Sequence, residues 1–200
     1  MKLRYSPASP FARKVRIAAA VLGLTDRIEL VLADTNSAED SLRRENPLGK
    51  IPTLVLDDGT TLYDSQVIEQ YLDWLGGGGK LLPAGGLDRF KTLTAQQLAD
   101  GITDAALLLV YEGRFREPAE HGPRWKAYQA DKVARGLASF EAAPPAAGVI
   151  DVSTIALACS LGYQDLRFEG RWRASHPRLV AWLEGFAAAV PAFEETRFKG

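Results

Sequence analysis

One cysteine in 200 residues, Cys159, rules out an internal disulfide and suits a reducing compartment. Two histidines, His121 and His176, stand 55 positions apart, and with a single Cys they offer no ligand spacing of the zinc type. Long apolar runs are missing as well: the longest uncharged stretch, Val152 to Gln164, has 13 residues against the ~18 that a membrane span needs. Neither sign of charge dominates. Lys plus Arg number 24 and Asp plus Glu 25, with 10 against 11 in residues 1–80 and 14 against 14 in residues 81–200. No basic surplus is left to track a phosphate backbone, so nucleic acid is not an expected partner. Ile17 to Leu24 is apolar and follows basic residues, but Thr25-Asp26-Arg27 comes next where a secretory leader would carry small residues. The expectation is a cytoplasmic chain without metal, membrane or nucleic acid.

What is present is an ordinary globular composition, 46% apolar and 24% charged. A chain of this length buries about 70% of its unfolded surface, enough for a real core. Lys2 to Tyr5 alternates charged and apolar residues and predicts a short strand. Ser9-Pro10 then announces a helix, with Ser a preferred N-cap and Pro tolerated at the first helical position; Phe11, Val15, Ala18, Ala19 and Leu22 follow at helical spacing until Gly23. Ile28 to Leu32 predicts a second strand, and a helix between strands so close together implies a parallel βαβ unit. Pro52 to Leu56 and Thr60 to Tyr63 flank Asp57-Asp58-Gly59 as a hairpin. Asp64-Ser65 precedes Val67, Ile68, Tyr71, Leu72 and Leu75, a third helical pattern. The order βαβ, then ββα, is that of an α/β thioredoxin-like domain, expected over residues 1–76.

The glycine run Gly76 to Gly79 predicts the end of that helix and the start of a linker over 77–86. Beyond it the pattern is helical throughout, so residues 87–200 are expected to form an all-α bundle. Leu87 to about Glu112 and Trp125 to Phe140 are amphipathic; Asp151 to Gly162 is apolar on all sides, as the buried centre of a bundle is. Pro177 opens a helix through Phe186, and Pro191 a last short turn. Cys159 on the all-apolar segment reads as a small core residue.

Three features of the first domain converge on one kind of ligand. Ser9 and Ser65 stand at helix N-termini, where unpaired N–H groups and the helix dipole favour an anion. Lys50-Ile51-Pro52 adds a cation and a proline ahead of a strand. A cis Ile51-Pro52 bond would leave the Ile51 backbone available to a peptide ligand. Taken singly, Ser9 and Ser65 read as helix caps, Lys50 as a solvated surface charge and Pro52 as an ordinary trans proline. Together, in this order, they are hard to explain as coincidence.

The chain resembles the glutathione S-transferases over essentially its whole length. Ser9-Pro10-Phe11 with Arg13-Lys14-Val15 is similar to the active-site stretch of the serine and cysteine classes, Asn46 to Leu54 to the family's cis-proline stretch, and Asp64-Ser65 to its acidic-Ser pair. Asp100-Gly101-Ile102-Thr103-Asp104, Ile155 to Tyr163 and His176 to Leu183 are similar to helical segments of the second domain. The likeness is strongest to small bacterial members of uncharacterised substrate. It implies that Ser9 donates to the glutathione sulfur, Lys50 meets the glycine carboxylate, Ile51 and Pro52 serve the cysteinyl backbone, and Asp64 and Ser65 hold the γ-glutamyl end. It also implies a homodimer, with Asp100 reaching the partner's γ-glutamyl amine; a solvated Asp100, beside a Gly101 that allows close helix packing, is the plainer alternative. Two departures stand out. Asp64 replaces the more usual Glu, and Thr154 stands where Asp would complete the capping box opened by Asp151, which predicts a weaker reciprocal bond.

The expected activity is transfer of the glutathione thiolate to a hydrophobic electrophile in detoxification, with glutathione as co-substrate and no other cofactor. Thiol exchange through a mixed disulfide falls behind, because Ser9 cannot form one. A non-catalytic binding or interaction module on the same fold is the alternative from another class. Tyr5, Phe11, Leu108, Tyr111 and Trp172 are residues that could line an electrophile site, yet such positions are more often core.

Overall fold

In the computed structural model, which describes residues 1–199, strand β1 (Lys2–Tyr5) lies inside a four-stranded sheet of order β2-β1-β3-β4. β1 pairs in parallel with β2 (Glu29–Leu32) and antiparallel with β3 (Thr53–Val55), which pairs antiparallel with β4 (Thr61–Leu62). Alternation along β1 divides its two faces. Leu3, in register with Leu54, is fully buried, and the core it belongs to takes Val15 from α1 (Pro10–Val21) and Ile68 and Leu72 from α3 (Ser65–Leu75). Arg4, its neighbour on the opposite face, is buried too and donates to Asp40 at 2.5 Å, Ser41 at 2.6 Å and Glu45 at 3.3 Å. That cluster holds α2 (Leu42–Glu45), a single turn that no hydrophobic periodicity announces. This half of the chain has the thioredoxin-like layout expected from the sequence.

The glycine run begins where α3 ends, with Gly76 as its C-cap. Gly77, Gly78 and Gly79 all take positive φ, 106°, 75° and 72°, a run open only to residues without a Cβ. Buried Asp73 accepts from the N–H groups of Gly79, Lys80 and Leu81 at 2.9, 3.0 and 2.7 Å, and Leu81 and Leu82 are buried. Asp73 thereby fastens residues 79–81 to the end of α3.

The described residues divide into two compact units, Met1–Arg89 with the chain from Val190 onward, and Phe90–Ala189. The second unit is helical: most of α4 (Gly86–Phe115), then α5 (Pro123–Ala142), α6 (Val152–Phe168) and α7 (Pro177–Ala189). From Val152 to Leu161 every residue of α6 is buried, Cys159 included. Its capping box is complete: Asp151 accepts from the N–H groups of Ser153 and Thr154, and its own N–H donates to Thr154 Oγ1 at 2.9 Å. The weaker reciprocal bond expected of Thr154 is thus corrected, because the extended backbone of Asp151 (φ -144°) brings its N–H within reach of the short side chain. Close helix packing falls at Gly136, not Gly101. A Cβ on Gly136 would lie 2.4 Å from Ile102 Cγ1, whereas one on Gly101 would meet nothing within 4 Å.

The last helix, α8 (Ala192–Glu195), belongs to the first unit, where the sequence reading placed residues 87–200 together. Buried Arg13 of α1 accounts for this. Its guanidinium lies 4.1 Å from the Phe193 ring centroid and donates to the Phe193 carbonyl at 2.5 Å and Thr196 Oγ1 at 3.3 Å.

Candidate functional site

Three segments meet at one edge of the sheet in the first unit. α1 follows β1, and α3 follows β4; since β1 and β4 are both antiparallel to β3, they run in the same direction. Each helix returns from the C-terminal end of its strand, so both N-termini open on that edge. β3 enters from the same side, with Thr53 in register with Arg4, which brings Lys50, Ile51 and Pro52 there as well. Ser9, Lys50, Ile51, Pro52, Asp64 and Ser65, separated by up to 56 positions in sequence, share one rim of the fold.

Ser9 is the N-cap of α1: its Oγ accepts from the Ala12 N–H at 3.2 Å, with Pro10 in the first helical position. A hydroxyl that accepts in this way keeps its own proton to donate. At α3 the cap is Asp64, whose Oδ1 accepts from the Gln66 N–H at 3.0 Å; Ser65, for which a capping role was the plain reading, is the first helical residue and is buried. The shorter carboxylate thus satisfies a backbone donor while its exposed side faces solvent.

Between them, the 46–53 segment is shaped by a residue to which the sequence reading assigned no role. Buried Asn46 donates from Nδ2 to the Lys50 carbonyl at 3.0 Å and to Thr53 Oγ1 at 3.2 Å, and accepts on Oδ1 from the Leu48 N–H at 3.0 Å. Thr53 Oγ1 donates to the Lys50 carbonyl at 3.0 Å, and Gly49 turns with φ 60°. The Ile51-Pro52 peptide is cis, as is Tyr63-Asp64. Lys50 is exposed and its ammonium enters no ion pair or hydrogen bond among the described residues. A cation, two helix N-termini and a carboxylate on one rim suit an extended zwitterion with two carboxylates and an ammonium.

Comparison with known proteins places the chain in a family. Residues 8–75 match the model of the glutathione S-transferase N-terminal domain. The uncharacterized GST-like protein YibF of Escherichia coli (strain K12) is 32% identical over 189 residues, covering 92% of each chain. The chain belongs to the glutathione S-transferase family. Among solved structures, a glutathione transferase family member from Pseudomonas fluorescens Pf-5 with bound glutathione superposes with a TM-score of 0.92 at 41% identity over 98% of each chain. A glutathione S-transferase from Methylobacillus flagellatus KT with glutathione bound gives 0.90 at 35% identity, also over 98% of each.

Of the other sequence candidates, Trp172 is buried and donates from its indole N–H to Asp165 at 2.8 Å, which makes it a core residue. Asp100 lies on α4 in the second unit, is 4% exposed and has a polar partner within the chain. No helix among the described residues is long and apolar enough to cross a membrane, and no group of three or more His, Cys, Asp or Glu side chains there could hold a metal ion.

Proposed function

We propose that this protein transfers the thiolate of glutathione to a small hydrophobic electrophile. The observation that carries this reading is the convergence on one sheet edge of the Ser9 hydroxyl, at a helix N-terminus, with Lys50, Ile51, Pro52, Asp64 and Ser65. A free thiol titrates near ~8.5, and a helix N-terminus with a donor lowers it to roughly 3.5–7.5, so a sulfur beside Ser9 is held as thiolate at neutral pH. Ser9 stabilises that anion and is not consumed. Lys50 is assigned to the glycine carboxylate, the Ile51 backbone beside Pro52 to the cysteinyl group, and Asp64 with Ser65 to the γ-glutamyl end. Glutathione is the co-substrate, and the role is detoxification in the cytoplasm.

The enzyme is proposed to act as a homodimer in which Asp100 approaches the glutathione of the other subunit. Support comes from apolar side chains left at the surface: Trp74 of α3 is 69% exposed and Phe90 of α4 64%.

The deciding experiment is turnover of glutathione with a panel of alkyl and aryl halides, epoxides and peroxides, comparing the parent with Ser9→Ala. Loss of one thiolate donor is expected to lower kcat by about 10²-fold, while the missing cap costs about 1 kcal/mol of stability. Ser9→Ala activity equal to the parent would overturn the role of Ser9. Retention on immobilised glutathione without turnover of any electrophile would instead favour a binding module.

A further inference from the structure

Lys14 and Glu69 form an ion pair with Nζ 3.3 Å from Oε2, and their side chains are 1% and 0% exposed. Removing two charges from water is costly, and an apolar pair of similar volume is often as stable or more so. Stability alone is therefore a poor account of this pair. Its location supplies another. Lys14 lies on α1 and Glu69 on α3, each five positions after its N-cap, Ser9 in one helix and Asp64 in the other. At 1.5 Å per residue both Cα atoms lie about 7–8 Å along the axis from the N-cap. The two helices pack against each other and start from the same sheet edge. A tie at equal depth on two such helices levels their N-termini. Apolar contacts such as those of Val15, Ile68 and Leu72 are non-directional and tolerate sliding of one helix along the other; a charge-assisted contact has a fixed length and direction. The neighbouring cation, Arg13, is committed to Phe193 and Thr196, so consecutive cations hold α1 to two different elements.

Resting on the glutathione reading above, we propose that Lys14 and Glu69 are positioning residues that set the level of Ser9 against Asp64 and Ser65. They touch neither sulfur nor carboxylate and act through the two helices. A ligand held at both ends senses such a shift strongly, because a misplacement of about 1 Å costs on the order of 10²-fold.

The test replaces the pair by the apolar double variant Lys14→Met/Glu69→Leu and by the exchanged pair Lys14→Glu/Glu69→Lys, with melting temperature, glutathione Kd by calorimetry, and KM and kcat measured on each. The apolar pair is expected to melt at or above the parent's temperature yet bind glutathione about tenfold more weakly, with KM rising more than kcat falls. The exchanged pair is expected to restore Kd to within about threefold of the parent, because it re-forms the tie. An apolar pair that binds glutathione within about twofold of the parent makes Lys14 and Glu69 ordinary packing and overturns the proposal. Should the apolar pair fail to fold by circular dichroism, Lys14→Arg decides, since it keeps the charge and alters the reach: unchanged Kd overturns the proposal, and weakened Kd at a retained melting temperature supports it. A parent that binds no glutathione at all would instead sink the reading on which this one rests.

Discussion

Asn46 shows how much of the site rests on a side chain that the ligand need not touch. Its amide holds the Lys50 carbonyl, the Leu48 N–H and the Thr53 hydroxyl, and it does so while buried. Asn46→Ala leaves the Leu48 N–H without its partner and the Lys50 carbonyl with Thr53 alone, a loss of about 1–3 kcal/mol that urea denaturation would read as a lower midpoint at unchanged slope. Glutathione affinity is expected to fall with it, since Lys50 and Ile51 lie on the loop that Asn46 ties. Ser9, Lys50 and Asp64 stand out in the sequence because their residue types carry chemistry at recognisable positions. Asn46 does not, although it stands inside the quoted motif: an amide becomes a scaffold only when three backbone and side-chain partners close around it, and nothing local says so. Lys14 hid for the same reason, since a lysine in a helix reads as solvated until the partner that permits its burial is seen.

At the scale of elements, most helices and strands were legible because their signals are local: caps, breakers and periods of 2 or 3.6. The single turn of α2 escaped because Arg4, from a strand nearly forty positions earlier, holds it in place. Helix–helix contacts were equally silent. Gly136 faces Ile102, which is 2% exposed and cannot move aside freely. Gly136→Ala gains about 1 kcal/mol of helix propensity against about 1–3 kcal/mol of overpacking, so a lower melting temperature is expected; pairing it with Ile102→Val should recover most of the loss. A second non-local device caps α7. Glu141 of α5 accepts from the N–H groups of Arg178 and Leu179 at 3.0 and 2.9 Å. Partial burial works against its charge, but those two bonds, with His176 and Arg178 nearby, outweigh it and hold the carboxyl below its ordinary value. A folded-state pKa depressed in this way stabilises the protein above the ordinary Glu value and is lost as pH falls through the folded one. Stability measured from pH 7 downward should therefore decline in the acid range, and Glu141→Gln should be less stable at pH 7 with a flatter acid limb.

For the whole molecule, the two-unit organisation was legible from the change of periodicity near residue 80, but the boundary was not, because membership in a unit is decided by contacts that sequence distance conceals. The proposed dimer belongs to this scale. Trp74→Lys places a charge on an exposed apolar surface and is expected to give a monomer by light scattering. Asp100→Asn is expected to leave the dimer intact while weakening glutathione binding; unchanged affinity would confine the site to one subunit.

The return of residues from Val190 onward to the first unit, pinned by Arg13, has a consequence for synthesis. A hundred residues, Phe90 to Ala189, are made between the two parts of that unit. At roughly 5–20 residues per second, the ribosome needs about 5–20 s to cross them. Throughout that interval the nascent N-terminal half has its sheet and α1 available but lacks the Phe193 ring and carbonyl that Arg13 binds. The unit built on β1 is therefore completed only after the whole of the other has been made.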